Sequence, residues 1–200
     1  MSPLVETIKL DNGRLCNMDY HHRRYQNALL HYFKRTGQKN LNDLINIPDD
    51  KKTGTFRCRV IYSPEIESIG FTPYTPRKIT TLKLIEANGI DYRFKYLDRS
   101  RLQELFSMRE DADDILIIKN SLVTDSFTAN VLFYDGNSWF TPDRPLLEGT
   151  MRACLLDDGK ISVRRITVHD LKYFSVAGLI NAFQGFEDMP LIEVKTGISW

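Results

Sequence analysis

Apolar positions along the first 35 residues change period once. In VETIKLDNGRLCN they flank Asp11-Asn12-Gly13 in strand-like runs, and Asn-Gly is the strongest short hairpin signal because both residues tolerate positive φ. A hairpin therefore opens the chain. From about Asp19 to Arg35, Tyr25, Ala28, Leu29, Tyr32 and Phe33 recur at spacings of three and four, which predicts an amphipathic helix with Gly37 as its stop. NLNDLI predicts a short second helix. FRCRVIY and ITTLKLIEA predict strands, with Pro64, Pro73 and Pro76 marking the loops between them.

YRFKYLDR, residues 92–99, alternates aromatic and basic side chains at the period of a strand, with Tyr92, Phe94 and Tyr96 inward and Arg93, Lys95 and Leu97 outward. Asp98 is placed to cap a helix over RSRLQELFSM, and ILIIKN reads as a buried strand. TANVLFYDGNSWFTP predicts a hairpin turning at Asp135-Gly136-Asn137. PLLEGTMRACLL holds a helix start after a glycine, DLKYF a short helix, and LIEVKTGISW a terminal strand. Both halves are α+β. The joint is expected near Asn88 to Tyr96, giving subdomains of residues 1–90 and 91–200 without repeats or low-complexity segments.

Composition narrows the class. The 200 residues, 42% hydrophobic and 26% charged, suffice for one large domain or two small ones. A net charge of +1 supplies no field that would draw the chain to nucleic acid or to an anionic membrane. No stretch approaches the roughly 18 apolar residues of a membrane span. The three cysteines, Cys16, Cys58 and Cys154, lack CxxC or zinc-type spacing, so a reducing compartment and a soluble cytoplasmic protein are expected.

Four stretches bear candidate chemistry. His21 and Arg24 lie three apart and share a helix face with Tyr25 and Ala28; an arginine there needs an anion, either a salt bridge at the helix edge or a ligand. Lys95 is either a solvated strand residue or a nucleophile held in a pocket. Asp125 follows the strand-like SLV, an ordinary place for a turn. Gly149 and Thr150 precede a helical run, and such a start can aim backbone N–H groups at a phosphate. No zinc, EF-hand, Walker, GxGxxG or GxSxG pattern occurs, so metal and nucleotide hypotheses have no support. Together the four suggest one ligand: an arginine and a helix N-terminus for a phosphate, a carboxylate for a ring nitrogen, and a lysine for an aldehyde. Pyridoxal 5'-phosphate (PLP) asks for all of these.

The order and context of these residues resemble the class IV aminotransferase family of fold-type-IV PLP enzymes, and within it the aminodeoxychorismate lyases. ETIKLDNGRLCNMDYHHRRYQNA resembles the family's opening hairpin and H-x-x-R-L helix, matched by His21, Arg24 and Tyr25. FKYLDR is similar to the Schiff-base lysine segment, with Lys95 at the lysine. VTDSFTANVLF resembles V-T-E-x-x-x-x-N-l-F, with Asp125 at the carboxylate and Asn130 at the asparagine. FTPDRPLLEGTMR resembles T-P-x(n)-L-x-G-I-x-R through Thr141, Pro142, Leu147, Gly149, Thr150, Met151 and Arg152, and LINAFQGFEDMPL resembles the late N-A/S-L-x-G loop.

The resemblance implies two small α+β subdomains with the cofactor site between them, and a homodimer. Lys95 would carry PLP as an aldimine and then act as acid/base, with aromatic neighbours and Arg93 and Arg99 favouring its neutral form. Arg24, the N–H groups of Thr150 and Met151, and the late-loop residues Asn181 and Ala182 would hold the phosphate. Leu147 would pack on one face of the ring, with Thr128 and Ala129 near the other. Asp125 would pair with the pyridine nitrogen, although the family normally uses glutamate, longer by one methylene or about 1.5 Å. The chain is also shorter than typical members, mostly on the substrate side, where Arg57 and Arg59 are candidates for a substrate carboxylate. The implied reaction is lysis of 4-amino-4-deoxychorismate to 4-aminobenzoate and pyruvate. The alternatives are an aminotransferase of branched-chain or D-amino acids and a non-catalytic PLP-binding member. The partner expected is a small-molecule amino substrate.

Overall fold

Asn12 and Gly13 both take positive φ (47° and 80°), closing the expected hairpin between β1 (Leu4–Asp11) and β2 (Arg14–Leu15). The computed structural model describes residues 1–36 and 39–200; Gly37, the expected helix stop, lies outside the described residues. The chain divides into two units, residues 1–76 with 94–98, and residues 77–93 with 99–200. One boundary, between residues 93 and 94, falls within the stretch from Asn88 to Tyr96 where the joint is expected; residues 77–90 belong to the second unit, and residues 94–98 return to the first.

In the first unit β1 pairs antiparallel along its length with β3 (Thr55–Tyr62), and β3 with β4 (Ile66–Pro73), giving the order β2-β1-β3-β4. The sequence reading left β4 to proline-marked loops. It is an edge strand that turns only Ile66, Ile69 and Phe71 toward the core, and Pro73 ends it. Helix α1 (Met18–His31) packs Tyr25, Ala28 and Leu29 against Leu4, Ile8, Val60 and Tyr62. It stops short of the expected Arg35. NLNDLI forms one 3-10 turn, Leu41–Leu44, started by the Asn40 side chain accepting from the Asn42 N–H at 3.0 Å.

The second unit holds β5 (Leu82–Glu86), helix α2 (Ser100–Ser107), β6 (Asp114–Lys119), β7 (Leu122–Ser126), β8 (Asn130–Tyr134) and β9 (Trp139–Pro142). Helix α3 (Thr150–Asp157), β10 (Ser162–Arg164), β11 (Val176–Ile180), β12 (Leu191–Glu193), α4 (Val194–Gly197) and β13 (Ile198–Ser199) follow. The sheet runs β10-β9-β8-β7-β6-β5-β13, with β11 joining β8 to β12. Three local expectations are corrected. The N-cap of α2 is Arg99, one residue past Asp98. The terminal run is two short strands flanking α4. Residues 92–99 form no strand, only an isolated bridge from Tyr96 to Leu4. Mixed helix and sheet make the chain α+β, and among the described residues no helix is long and apolar enough to cross a membrane.

Candidate functional site

Backbone pairing fixes the place of Lys95 in the first unit. Its carbonyl accepts from the Val5 N–H at 2.9 Å, and Pro3 accepts from the Leu97 N–H at 2.9 Å, so residues 95–97 line the edge of β1. Phe94 and Tyr96 turn onto Tyr32 of α1, with ring centroids 5.0 and 5.7 Å away. Lys95 lies between them at a tight turn, where the Tyr96 N–H donates to the Phe94 carbonyl at 2.9 Å, and its charge acts on the buried His21 of α1. The β1–β3 register sets Val5 against Ile61, Thr7 against Arg59 and Lys9 against Arg57. Arg57 and Arg59 therefore share the sheet face away from α1. Arg59 is exposed, while Arg57 lies 5.6 Å from the ring centroid of Tyr74.

The α1 side of the sheet carries a charge that the sequence reading overlooked. Leu4, Glu6, Ile8 and Leu10 all face it, and Glu6 is completely buried. Its carboxylate accepts from Arg24 Nε at 2.9 Å, from a terminal Arg24 nitrogen at 2.7 Å, and from His21 Nδ1 at 2.6 Å. The three-residue spacing of His21 and Arg24 is what lets both reach one carboxylate. Burial alone would raise the Glu6 pKa, but the Arg24 charge and the bonds from His21 and Arg24 outweigh it and lower it to about 2. Burial depresses the pKa of His21, against the pull of Glu6, so its neutral ring donates from Nδ1. Arg24, the expected phosphate ligand, is thus first the counter-ion of Glu6.

In the second unit the predicted residues converge at one end of the sheet. Asp125 was read as a turn residue; it sits inside β7, paired with Asn130 at the start of β8, and is 5% exposed. Asn130 Nδ2 donates to Asp125 Oδ1 at 2.7 Å and to the Leu147 carbonyl at 2.8 Å, while the Leu147 N–H donates to Asp125 Oδ2 at 2.9 Å. This closed loop latches residues 146–149 onto the β7–β8 hairpin. At the tip of that hairpin Thr128 is exposed, and Ala129 accepts from the Ser126 N–H at 2.9 Å. Ile180 pairs with Asn130, which brings the end of β11 alongside. Asn181 accepts from the N–H groups of Phe183 and Gln184 at 2.8 and 3.2 Å, shaping a turn that includes Ala182. Met151 rests against that turn at Gly185.

Gly149 and Arg152 explain the spacing of the T-P…L-x-G-x-x-R stretch. A Cβ at Gly149 would lie 1.9 Å from Asn130 Oδ1, and Asn130 cannot swing aside without losing both bonds that hold the latch. Arg152, buried on α3, donates to Thr141 Oγ1 at 3.2 Å and to the Pro142 carbonyl at 3.0 Å, tying the helix to β9. In the resemblance Asn130, Gly149 and Arg152 have only their place, and the spacing itself is the signal. We expect Gly149→Ala to cost about 1–3 kcal/mol of stability and to weaken cofactor binding, read by chemical denaturation and by PLP titration.

Asp125 also gives the site a pH signature. Burial raises its pKa to about 6, against the Leu147 N–H, the Asn130 amide and the Arg152 charge, all of which favour the anion. In the unfolded chain it ionises near 3.8. Between those values the native protein holds a proton that the unfolded chain has lost, so stability falls as pH rises through that window and levels above it. Urea unfolding in steps across pH 3.8 to 6 should show this decline in the wild type and a flatter profile in Asp125→Asn. Equal slopes would place the titration elsewhere.

A family model for class IV amino-transferases matches residues 3–188. The chain belongs to the class IV aminotransferases. Members of this family depend on PLP. Among relatives, an uncharacterized protein of Haemophilus influenzae is 38% identical over 187 residues, 92% of this chain and all of that one. A solved structure of a candidate 4-amino-4-deoxychorismate lyase from Haemophilus somnus is 36% identical, covers 93% of this chain and 98% of its own, and superposes with a TM-score of 0.87. The fold is shared with a hypothetical aminotransferase from Mycobacterium tuberculosis solved with PLP bound, at 16% identity, TM-score 0.77, and coverage of 96% of this chain and 80% of that one.

The residues present fit the family's cofactor. The N-cap of α3 is a glycine without a capping side chain, the kind of helix start whose first-turn N–H groups suit a phosphate. Asp125, poorly compensated in its burial, matches a cationic ring nitrogen.

Proposed function

We propose that this class IV aminotransferase family member is a PLP-dependent lyase that converts 4-amino-4-deoxychorismate to 4-aminobenzoate and pyruvate. The cofactor part of the reading is supported by the Asp125–Asn130–Leu147 latch, in which a buried carboxylate holds Leu147 just before the Gly149 N-cap of α3. The choice of lyase is supported by the likeness, over nearly the whole chain, to the candidate lyase, and by Met151 in GTMR, where transaminases usually carry threonine.

Bound PLP supplies an electron sink for negative charge developing on the substrate carbon that bears the amino group. Lys95 would hold the cofactor through its Nζ and, once freed by the substrate amine, would take the proton from that carbon. Breaking the adjacent C–O bond would expel enolpyruvate, which would take up the proton held at Lys95 Nζ to become pyruvate, and the ring would become aromatic. Arg24, the N–H groups of Thr150 and Met151, and Asn181 and Ala182 hold the phosphate. Leu147 packs on one ring face, with Thr128 and Ala129 near the other. Asp125 keeps the ring nitrogen protonated, and the cationic partner lowers its own raised pKa in return. Arg57 and Arg59 receive substrate carboxylate. The enzyme works as a cytoplasmic homodimer on this reading.

The test is product chemistry. PLP-loaded protein given 4-amino-4-deoxychorismate should release 4-aminobenzoate and pyruvate in equal amounts. Turnover of an amino acid with a keto acid, with the cofactor cycling to its pyridoxamine form and no 4-aminobenzoate, would replace the lyase by an aminotransferase. Failure to bind PLP at all would remove both.

A further inference from the structure

The second unit contains a cavity of about 230 Å³ that none of the roles above uses. Tyr92, Leu122, Pro145 and Leu146 give it apolar walls, and Thr124 shares the β7 face that lines it. Alternation along β7 turns Val123 into the core and Asp125 away from that face, so the cavity lies across the strand from the carboxylate latch.

Its charge is one-sided. Arg93, Lys119 and Arg144 line it with Asp91 as the only carboxylate, and Asp91 is committed to Arg93 through bonds of 2.8 to 3.2 Å. Lys119 donates to the Ile90 carbonyl at 2.5 Å, a neutral partner. Arg144 makes no ion pair among the described residues. Asp91 also feels the Lys119 charge, but one carboxylate faces three cations in this lining, and the excess positive charge stands over an apolar floor. A guanidinium is suited to fork a carboxylate, and the volume, below the roughly 300 Å³ of small drug-type sites, admits one ring.

We propose that this cavity is a binding site for a small organic carboxylate with a flat apolar body, seated on Tyr92, Pro145 and Leu146 and held by Arg144 and Lys119. The Arg144–Leu146 wall runs directly into Leu147, whose N–H holds Asp125, so an occupant bears on the segment that carries the latch.

The probe is benzoate, titrated calorimetrically into PLP-incubated protein, with benzamide, acetate and inorganic phosphate as comparisons. We expect saturable benzoate binding with a Kd of about 1 mM or tighter, and benzamide and acetate each weaker by about tenfold. Arg144→Met should weaken benzoate by about tenfold at an unchanged melting temperature, because Arg144 is exposed and makes no ion pair among the described residues. Lys119→Met should weaken it too, its lost bond to Ile90 being judged separately by the melting temperature. Absence of saturable binding, benzoate affinity unchanged in Arg144→Met, displacement of benzoate by PLP, or phosphate binding that depends on Arg144 as strongly as benzoate does would each overturn the assignment. None of these readouts requires lyase turnover, so the site stands or falls apart from the proposed reaction.

Discussion

Lys95→Ala should lower product formation by about a thousandfold or more while leaving the fold in place. The magnitude follows from the two tasks that meet on one Nζ, carrying the cofactor and moving a proton; the second alone is worth about 10²–10⁴. The structural cost should stay within about 1 kcal/mol, because the bond from the Val5 N–H to the Lys95 carbonyl survives truncation. Phe94 and Tyr96, which pack on Tyr32, are untouched. The variant should therefore melt like the wild type, bind PLP more weakly, and lack the absorbance of a lysine-bound pyridoxal. A variant that keeps that absorbance would move the Schiff-base role to another lysine.

Removing Glu6 should have the largest effect on stability. Glu6→Ala leaves Arg24, 15% exposed, and the fully buried His21 without the carboxylate that receives their N–H groups. Breaking one side of a buried ionic pair costs about 3–5 kcal/mol, a large part of the about 5–15 kcal/mol that holds a domain together. The dependence on pH has a definite sign. Glu6 ionises near 4.5 when unfolded and near 2 when native, so its contribution is complete above 4.5 and is lost as pH falls through that interval. Asp125 acts in the opposite direction over a higher window. Guanidinium melts of Glu6→Ala and wild type, compared near neutrality and near pH 2, should show the gap between them shrinking in acid. A gap that is small at neutrality, or constant across that range, would mean that Glu6 is not the ionised anchor of the helix.

Much of this was legible in the residues. Asn12-Gly13 announced the first hairpin, and the three- and four-residue spacing from Tyr25 to Phe33 announced α1, because both signals are local and demand particular backbone angles or one helical face. The candidate site residues stand out by their order rather than by any one of them: Asp125 alone suggests a turn, and only Asn130, Leu147 and Gly149 at their spacings mark it as the centre of a latch. The alternation in YRFKYLDR misled, since Tyr92 is buried in the second unit while Phe94 and Tyr96 pack in the first. Alternation there reflects two different cores instead of one strand. Glu6 was invisible for a related reason: a carboxylate between Val5 and Thr7 reads as the solvent side of a strand until the helix that brings His21 and Arg24 is laid over it. β4 escaped because an edge strand needs few apolar residues, and three of them spread over eight positions resemble a loop.

Lys95 as the residue that carries PLP is the claim on which the functional account turns, and it can be tested without any substrate. Protein incubated with PLP, reduced with borohydride and digested should yield one pyridoxyl-modified peptide, the one spanning Tyr92 to Arg99 with the label on Lys95. Label on a different lysine, or no label at a PLP concentration that saturates the binding signal, would contradict it.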